Sequence, residues 1–176
     1  MARRIVIAYW LIPAGPAYSF FQGIINDLAR RYDAPVFEPH VTIHVDANLV
    51  GGAEEALSSA ANECQPIELK VGDVGHSDVF TKTLYVEFAL SSKMRRLNRV
   101  IRDVAHDASG YELKPHLSLL YKTVSIAARC ELAASINVPF SEAAFDRLKA
   151  VRCVSPTQSR VDVEAWRVVT TQQLAG

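Results

Sequence analysis

The chain has 176 residues, of which 49% are hydrophobic, and its 19 lysines and arginines balance 19 aspartates and glutamates. This size predicts one compact soluble unit, and we expect a cytoplasmic monomer. Zero net charge disfavours binding to long nucleic acid or to an anionic membrane, because both require a positively charged face. A small anionic ligand remains compatible with this composition.

The three cysteines, Cys64, Cys130 and Cys153, are far apart in sequence and show no C-x-x-C spacing. An odd number of cysteines without a metal-binding pattern favours reduced thiols, with a single disulfide as the alternative.

The first apolar run, residues 5–12, follows two arginines and imitates the start of a signal peptide. It is rich in strand-forming residues, and Pro13 and Gly15 end it as a turn would. Eight residues are far too few to cross a bilayer. We therefore predict a buried first strand, with a signal peptide as the alternative.

The rest of the chain alternates between helical spacing and strand-like runs. The predicted helices are 18–28, 51–63, 94–108 (closed by Gly110 as a C-terminal cap) and 127–137. The predicted strands are 38–45, 67–74, 84–90, 116–121, 148–154 and 161–170. Pro39 and Pro115 stand at the starts of two strands, where proline is tolerated.

The two halves of the chain repeat one order of elements at an offset of about 76 to 80 residues. This repetition predicts a single α+β domain with a bilobal, duplicated fold, in which two mainly antiparallel sheets with outer helices flank a central cleft. The predicted lobes are about 1–80 and 81–176, and exchange of the terminal strands between lobes stays open. One continuous α/β sheet is the alternative.

Two short segments share the pattern proline, histidine, apolar, hydroxyl, apolar. They are Pro39-His40-Val41-Thr42-Ile43 and Pro115-His116-Leu117-Ser118-Leu119. On a strand, residues two apart face the same side, so each imidazole lies about 6.6 Å along the strand from its hydroxyl partner.

Two imidazoles facing one cleft are suited to acid–base chemistry near neutral pH. A neutral ring can take a proton from water while a protonated ring gives one to a leaving alkoxide. The hydroxyls of Thr42 and Ser118 can hold phosphate oxygens. The set matches in-line displacement at a phosphodiester, and we expect neither a metal nor a cofactor.

The two motifs resemble the paired H-x-T/S-x signatures of the two-histidine (2H) phosphoesterase superfamily. Within it, the segments Pro-Val-Phe-Glu-Pro-His-Val-Thr (35–42) and Lys-Pro-His-Leu-Ser-Leu-Leu-Tyr (114–121) are most similar to the cyclic phosphodiesterase family of plants and fungi. The likeness extends to residues 9–13 and 163–166. It implies a water-filled cleft and hydrolysis of ADP-ribose 1″,2″-cyclic phosphate or of nucleoside 2′,3′-cyclic phosphates, the latter to 2′-phosphates.

The resemblance also implies roles for individual residues: catalysis by His40 and His116, phosphate binding by Thr42 and Ser118, and further substrate contacts from Tyr121, Trp10 and Phe80. Strict alternation from His116 places Tyr121 on the opposite face of the strand. Tyr121 can contact the substrate only if a twist or bulge at the end of the strand turns its side chain toward the cleft. Otherwise Tyr121 belongs to the core, and Trp10 has the same alternative.

Two other patterns receive simpler interpretations. His44 and Asp46 share the strand parity of His40, but His40 and His44 would lie about 13 Å apart, too far to share one metal ion. We expect His44 at the cleft rim or exposed. The helical arginine stripe is interpreted as a solvated face and consists of Arg95, Arg96, Arg99 and Arg102.

The favoured function is therefore a metal-independent cyclic phosphodiesterase acting on a small nucleotide cyclic phosphate. Two alternatives stay open: an RNA-end or 2′–5′ phosphodiesterase of the same superfamily, and a non-catalytic nucleotide-binding module.

Overall fold

The computed structural model describes residues 2–47, 52–106 and 109–175. Its helices are α1 (Gly15–Tyr32), α2 (Ala53–Glu63), α3 (Ser92–Val104), α4 (Ile126–Ser135) and α5 (Arg160–Glu164), with a 3-10 helix at Phe80–Lys82. Its strands are β1 (Arg4–Pro13), β2 (Val41–Asp46), β3 (Ile67–His76), β4 (Leu84–Phe88), β5 (His116–Leu120), β6 (Glu142–Ser155) and β7 (Arg167–Gln173). In the described part of the chain, no helix combines the length and apolarity needed to span a membrane.

The strands pair antiparallel in the order β1-β2-β5-β4-β3-β6-β7, and β1 also pairs with β6. Two groups, β7-β6-β1-β2 and β3-β4-β5, meet at narrow junctions. One junction is the pair Val41↔Leu117 between β2 and β5, and the other joins β3 to residues 142–145 of β6. The predicted α+β class with antiparallel strands is confirmed.

The two groups of strands are continuous through hydrogen bonds, because β6 has 14 residues and reaches both of them. Its first residues pair with β3, and its remainder pairs with β1. Consequently β3, from the first half of the sequence, lies beside β4, while β6 and β7 join β1. The lobe boundaries near residue 80 stay a prediction.

Strand β1 is buried on both of its faces. Tyr9 and Leu11 point into the main core, where α1 contributes Phe21 and α3 contributes Leu97. On the other face, Trp10 belongs to a smaller cluster with Ala8, Ile12 and Val151. Each large side chain that is fully buried in this way stabilises the fold by about 1.5–3 kcal/mol. This two-sided burial holds Trp10 firmly beside the cleft.

The predicted boundaries of two elements, β2 and α3, were wrong. Strand β2 begins at Val41 rather than at residue 38, since Pro39 has no N–H to donate to a ladder. Helix α3 ends at Val104 with Ala105 as its cap, so Gly110 (φ 71°) serves the following turn. Gly51 and Ala108, assigned to helices from the sequence, lie outside the described residues.

The last predicted strand, 161–170, is half helix. The Oγ of Ser159 accepts a hydrogen bond from the backbone N–H of Asp162 and so starts α5, and β7 begins only at Arg167. A serine in this position is a standard N-terminal helix cap, and here it outweighs the strand preference of Val161 and Val163.

Candidate active site

The pair Val41↔Leu117 brings the two sequence motifs together. Both side chains are fully buried in the core, so the motif residues on either side of them face the opposite way. Antiparallel pairing at this point places His40 beside the position of Ser118 and Thr42 beside that of His116. Each histidine thus neighbours the hydroxyl residue of the other motif.

Both motif histidines are held by the backbone in the same way. Nδ1 of His40 lies 2.6 Å from the carbonyl oxygen of Glu38, and Nδ1 of His116 lies 2.9 Å from that of Lys114. A carbonyl oxygen only accepts hydrogen bonds, so each Nδ1 carries a proton and donates it. In the neutral rings Nε2 therefore carries the lone pair that can take a proton.

His40 lies in an aromatic enclosure and is only 6% exposed. Trp10 stacks on its ring with 3.7 Å between centroids and 12° between planes, while Phe37 and Trp166 present edges at 6.3 and 6.1 Å. The pKa of His40 is lowered to about 4, mainly by burial and in part by nearby His116, against the raising effect of Glu38. His40 is therefore a neutral imidazole at neutral pH.

His116 is more exposed than His40 and stands among charged groups. Burial lowers its pKa, and the Lys82 ammonium acts in the same direction, whereas the Lys114 carbonyl and the Glu87 carboxylate raise it. The ring of Tyr85 meets the imidazole edge-on at 5.7 Å, and Nζ of Lys82 lies 4.3 Å from the centroid of that tyrosine.

Each motif strand contains one extra residue directly after its hydroxyl residue. In β2, His44 pairs with Tyr9 and Thr42 with Trp10, which leaves Ile43 without a partner across the ladder. In β5, Leu120 pairs with Leu84 and Ser118 with Tyr85, which leaves Leu119 in the same situation. Such β-bulges reverse the alternation of faces beyond them.

The bulge at Leu119 explains the position of Tyr121. It returns Tyr121 to the face of Ser118, and the tyrosine lines the cleft while its ring stacks on Phe37 at 3.9 Å. Burial raises its pKa well above the usual value, partly opposed by a hydrogen bond with Ser118. The β-bulge that would turn the Tyr121 side chain toward the cleft is therefore present. The contact of Tyr121 with substrate stays a prediction.

The expectation for His44 was wrong. Its side chain is fully buried, 6.1 Å from the ring of Tyr9 and 5.7 Å from that of Tyr111. The bulge at Ile43 places Val45, rather than His44, on the side of Thr42. The pattern of side chains in β2 does not reveal this extra residue in advance.

A cavity of about 510 Å³ opens beside His40. Its wall includes five residues that were predicted from the sequence: Trp10, His40, Thr42, Phe80 and Tyr121. Trp166, Val79, Thr81 and residues 153–158 complete much of the remainder. The described part of the wall does not include His116 or Ser118, which adjoin the site through the β2–β5 pair.

Ser118 has its hydroxyl proton engaged. Its Oγ donates a hydrogen bond of 2.7 Å to the carbonyl oxygen of Thr81, and the side chain is 5% exposed. Since a serine has one O–H proton, binding a phosphate oxygen requires this bond to be exchanged. Thr42 is half-buried and lines the cavity directly.

Several neighbours of the site were missed from the sequence: Phe37, Lys82, Tyr85 and residues 153–158. Tyr85 had a usable signal, because it pairs with Ser118 as Trp10 pairs with Thr42, within the repeat already recognised. Residues 153–158 had no such signal, since only the folded chain brings them to the cavity that Phe80 also lines.

Within the described residues, no three or more His, Cys, Asp or Glu side chains are grouped so as to hold a metal ion. Cys64, Cys130 and Cys153 are free thiols. Cys153 lines the cavity, and burial raises its pKa to about 11, so it is uncharged at neutral pH.

A family model described as cyclic phosphodiesterase-like protein matches residues 5–174. The chain belongs to this family. It is 20% identical to the cyclic phosphodiesterase of Arabidopsis thaliana over 176 residues, covering 98% of this chain and 97% of the relative. Membership confirms the predicted 2H phosphoesterase relationship and the assignment as a phosphodiesterase enzyme.

Solved structures support the fold of this family member. LigT of E. coli in its apo form is 15% identical, with a TM-score of 0.63 and coverage of 99% of this chain and 100% of LigT. TT0787 of Thermus thermophilus is 12% identical, with a TM-score of 0.59 and coverage of 97% of this chain and 98% of TT0787.

Proposed function

We propose that the protein hydrolyses a ribose cyclic phosphate to a phosphomonoester by acid–base catalysis between His40 and His116, without a metal. Candidate substrates are a nucleoside 2′,3′-cyclic phosphate and ADP-ribose 1″,2″-cyclic phosphate. The main support is the matched orientation of the two rings, each with Nδ1 bound to a backbone carbonyl and Nε2 left for proton transfer. The name of the Arabidopsis thaliana relative agrees with this reaction class.

The reaction needs two proton transfers. One neutral Nε2 takes a proton from water as the water oxygen bonds to phosphorus. The bond from phosphorus to one ribose oxygen breaks, and the second imidazole, protonated, gives its Nε2 proton to that oxygen. The product is a phosphomonoester, and exchange with solvent restores both rings.

We assign His40 as the general base. Its pKa of about 4 keeps the ring neutral throughout the neutral range, which suits a proton acceptor. His116 is more exposed and lies near Glu87, so an arriving phosphate monoanion can favour its protonated form. His116 is then the acid that protonates the leaving oxygen.

The hydroxyls of Thr42 and Ser118 hold the non-bridging phosphate oxygens in this scheme. Thr42 reaches the cavity directly. Ser118 exchanges its bond to Thr81 for one to phosphate, and Tyr121 beside it becomes a second hydroxyl within reach. Such donors act on charge that develops at phosphorus and its oxygens.

The test is a product assay with His40→Ala and His116→Ala on both cyclic phosphates. Each substitution should lower kcat by about 10²–10⁴-fold, because each removes one proton-transfer group. His106→Ala is the matched control, since His106 is an exposed histidine away from the cavity, and it should leave kcat unchanged. Full activity in either motif variant contradicts the proposal, as does loss with EDTA that zinc restores.

The same assay separates the alternatives. Cleavage of 2′–5′ linkages or RNA ends in preference to cyclic phosphates identifies the RNA-directed activity. Binding of nucleotide without turnover identifies a non-catalytic module.

A further inference from the structure

The segment that leads to His40 has no regular secondary structure to fix its backbone. Residues 34–40, all of them described, lie between α1 and β2 and belong to neither a helix nor a strand. Pro35 and Pro39 lack an N–H group, so two peptides of this segment cannot donate a backbone hydrogen bond. The carbonyl oxygen of Glu38, which binds Nδ1 of His40, therefore needs other anchors.

Two side chains from other elements bind the two carboxylate oxygens of Glu38. Nζ of Lys149, on β6, lies 2.6 Å from Oε1, and the hydroxyl of Tyr18, on α1, donates a hydrogen bond of 3.0 Å to Oε2. The side chains of Glu38 and Lys149 are only 23% and 17% exposed, so salt screens this ion pair less than a surface pair. Glu38 is thus fixed to a helix and to the sheet at once.

The strand that anchors Glu38 also neighbours the tryptophan that stacks on His40. Lys149 pairs with Trp10 across the β1–β6 ladder, and Trp10 lies 3.7 Å from the His40 ring between centroids. The Glu38 carbonyl therefore fixes Nδ1, and Trp10 fixes the plane of the ring, both from the same pair of strands. Together these contacts leave Nε2 as the nitrogen for proton transfer.

His116 has a different kind of support. The carbonyl of Lys114 binds Nδ1 of His116, while the ammonium of Lys114 lies 3.1 Å from Glu112, and these two charged side chains are exposed. The next carbonyl, that of Pro115, accepts a backbone hydrogen bond of 3.1 Å from Phe88 in β4. Backbone pairing with a neighbouring strand thus supports the second motif, whereas side-chain contacts support the first.

We infer that Glu38 is a positioning residue for His40: its carboxylate, anchored to β6 and α1, fixes the carbonyl that keeps a proton on Nδ1. The inference rests on the proposed function, in which Nε2 of His40 takes a proton from water. Without the anchor the carbonyl shifts, and neutral rings that carry their proton on Nε2 cannot act as the base. Burial lowers the pKa of His40 and the Glu38 carboxylate opposes this effect, so the same side chain also favours proton uptake.

The first measurement is steady-state hydrolysis of a nucleoside 2′,3′-cyclic phosphate by Glu38→Gln, Lys149→Met and the double variant. Each single variant should lower kcat by about tenfold with little change in KM, because it misplaces the base without touching the substrate. The double variant should be no slower than the slower single variant, because both changes break one contact. Glu112→Gln, which removes an exposed ion-paired carboxylate, is the matched control and should leave kcat unchanged.

The second measurement reads the ring itself and needs no turnover. Nitrogen chemical shifts of His40 at neutral pH report which ring nitrogen holds the proton. The wild type should show the Nδ1–H form, and Glu38→Gln should show a mixture of both forms while His116 keeps its own. Tyr18→Phe removes the hydroxyl at Oε2 and gives the same readouts should Lys149→Met fail to fold.

Four results overturn the inference: wild-type kcat in Glu38→Gln, an equal loss in Glu112→Gln, an unchanged proton position on His40, or losses that multiply in the double variant. A raised KM with unchanged kcat would also contradict it, by placing Glu38 in substrate binding. Failure of the proposed function looks different. The wild type would then not hydrolyse the substrate, yet the proton position on His40 would still change in Glu38→Gln.

Discussion

Trp10 and His40 lie face to face, with ring centroids 3.7 Å apart and planes inclined by 12°. The tryptophan was expected to contact the substrate, yet this face of its ring is occupied by the imidazole. Stacking excludes water from His40 and so contributes to the burial that lowers its pKa. Trp10 therefore acts on the histidine, whatever else it contacts.

Replacing Trp10 tests this relationship. Trp10→Ala should raise the pKa of His40 from about 4 toward 6.5, because it lets water reach the ring. NMR titration of the His40 ring gives the value. Trp10→Phe keeps an aromatic face and serves as the matched variant should the alanine variant fail to fold. An unchanged pKa in a folded Trp10→Ala protein would show that other groups bury His40.

The stability of the protein should depend on pH through His40. Its folded-state pKa is lower than its unfolded value of 6.5, so the unfolded chain binds the proton more tightly. The contribution of neutral His40 to the free energy of unfolding is present in full above pH 6.5 and is lost as the pH falls toward 4. Between pH 7 and pH 5 it amounts to about 2 kcal/mol.

Urea unfolding at pH 7 and pH 5 measures this loss. His40→Gln, which cannot titrate, should show a difference smaller by about that amount. An identical pH dependence in the two proteins would show that His40 is not neutral in the folded state.

Gly75 should control the ring beside His116. A Cβ at this position would lie 2.6 Å from the Tyr85 ring, so Gly75→Ala must displace that ring. We expect lower kcat and a changed His116 pKa, since Tyr85 helps to bury the imidazole.

Gly23→Ala is the control for Gly75→Ala. Gly23 lies in α1 with open space around its Cβ position, so alanine should raise stability by up to about 1 kcal/mol without affecting kcat. Equal kinetics in the two alanine variants would remove Tyr85 from any role at His116.

The hydroxyls of Thr42 and Ser118 should differ in their effects. Ser118→Ala removes a buried hydrogen bond to Thr81, so it should cost about 1 kcal/mol of stability as well as activity. Thr42→Ala should lower kcat by about tenfold or more with little effect on stability, and Thr42→Ser should restore kcat. Thermal unfolding and steady-state kinetics separate the two, and a silent Thr42→Ala would exclude that hydroxyl from phosphate binding.

The sequence predicted most elements and the pairing of the two motifs, because both rest on local patterns. Alternation of apolar residues located the strands, and the repeated Pro-His-x-hydroxyl pattern located both histidines. The sequence could not show features that depend on the pairing of neighbouring strands. The bulges at Ile43 and Leu119 exist only as mismatches with β1 and β4, and they decide that His44 is buried and that Tyr121 faces the cleft.

The cavity wall was beyond prediction for the same reason. Residues 153–158 include the end of β6, whose pairing with β1 brings them near Phe80. Likewise the short helix α5 was taken for a strand, because valines at 161 and 163 favour strands while a single serine cap sets the helix.

Single-turnover hydrolysis of a nucleoside 2′,3′-cyclic phosphate by His40→Ala, His116→Ala and the double variant tests the central claim most directly. Because the two rings serve one concerted reaction, the double variant should be little slower than either single variant. Losses that multiply in the double variant, or a single variant that turns over at the wild-type rate, would contradict a two-histidine mechanism.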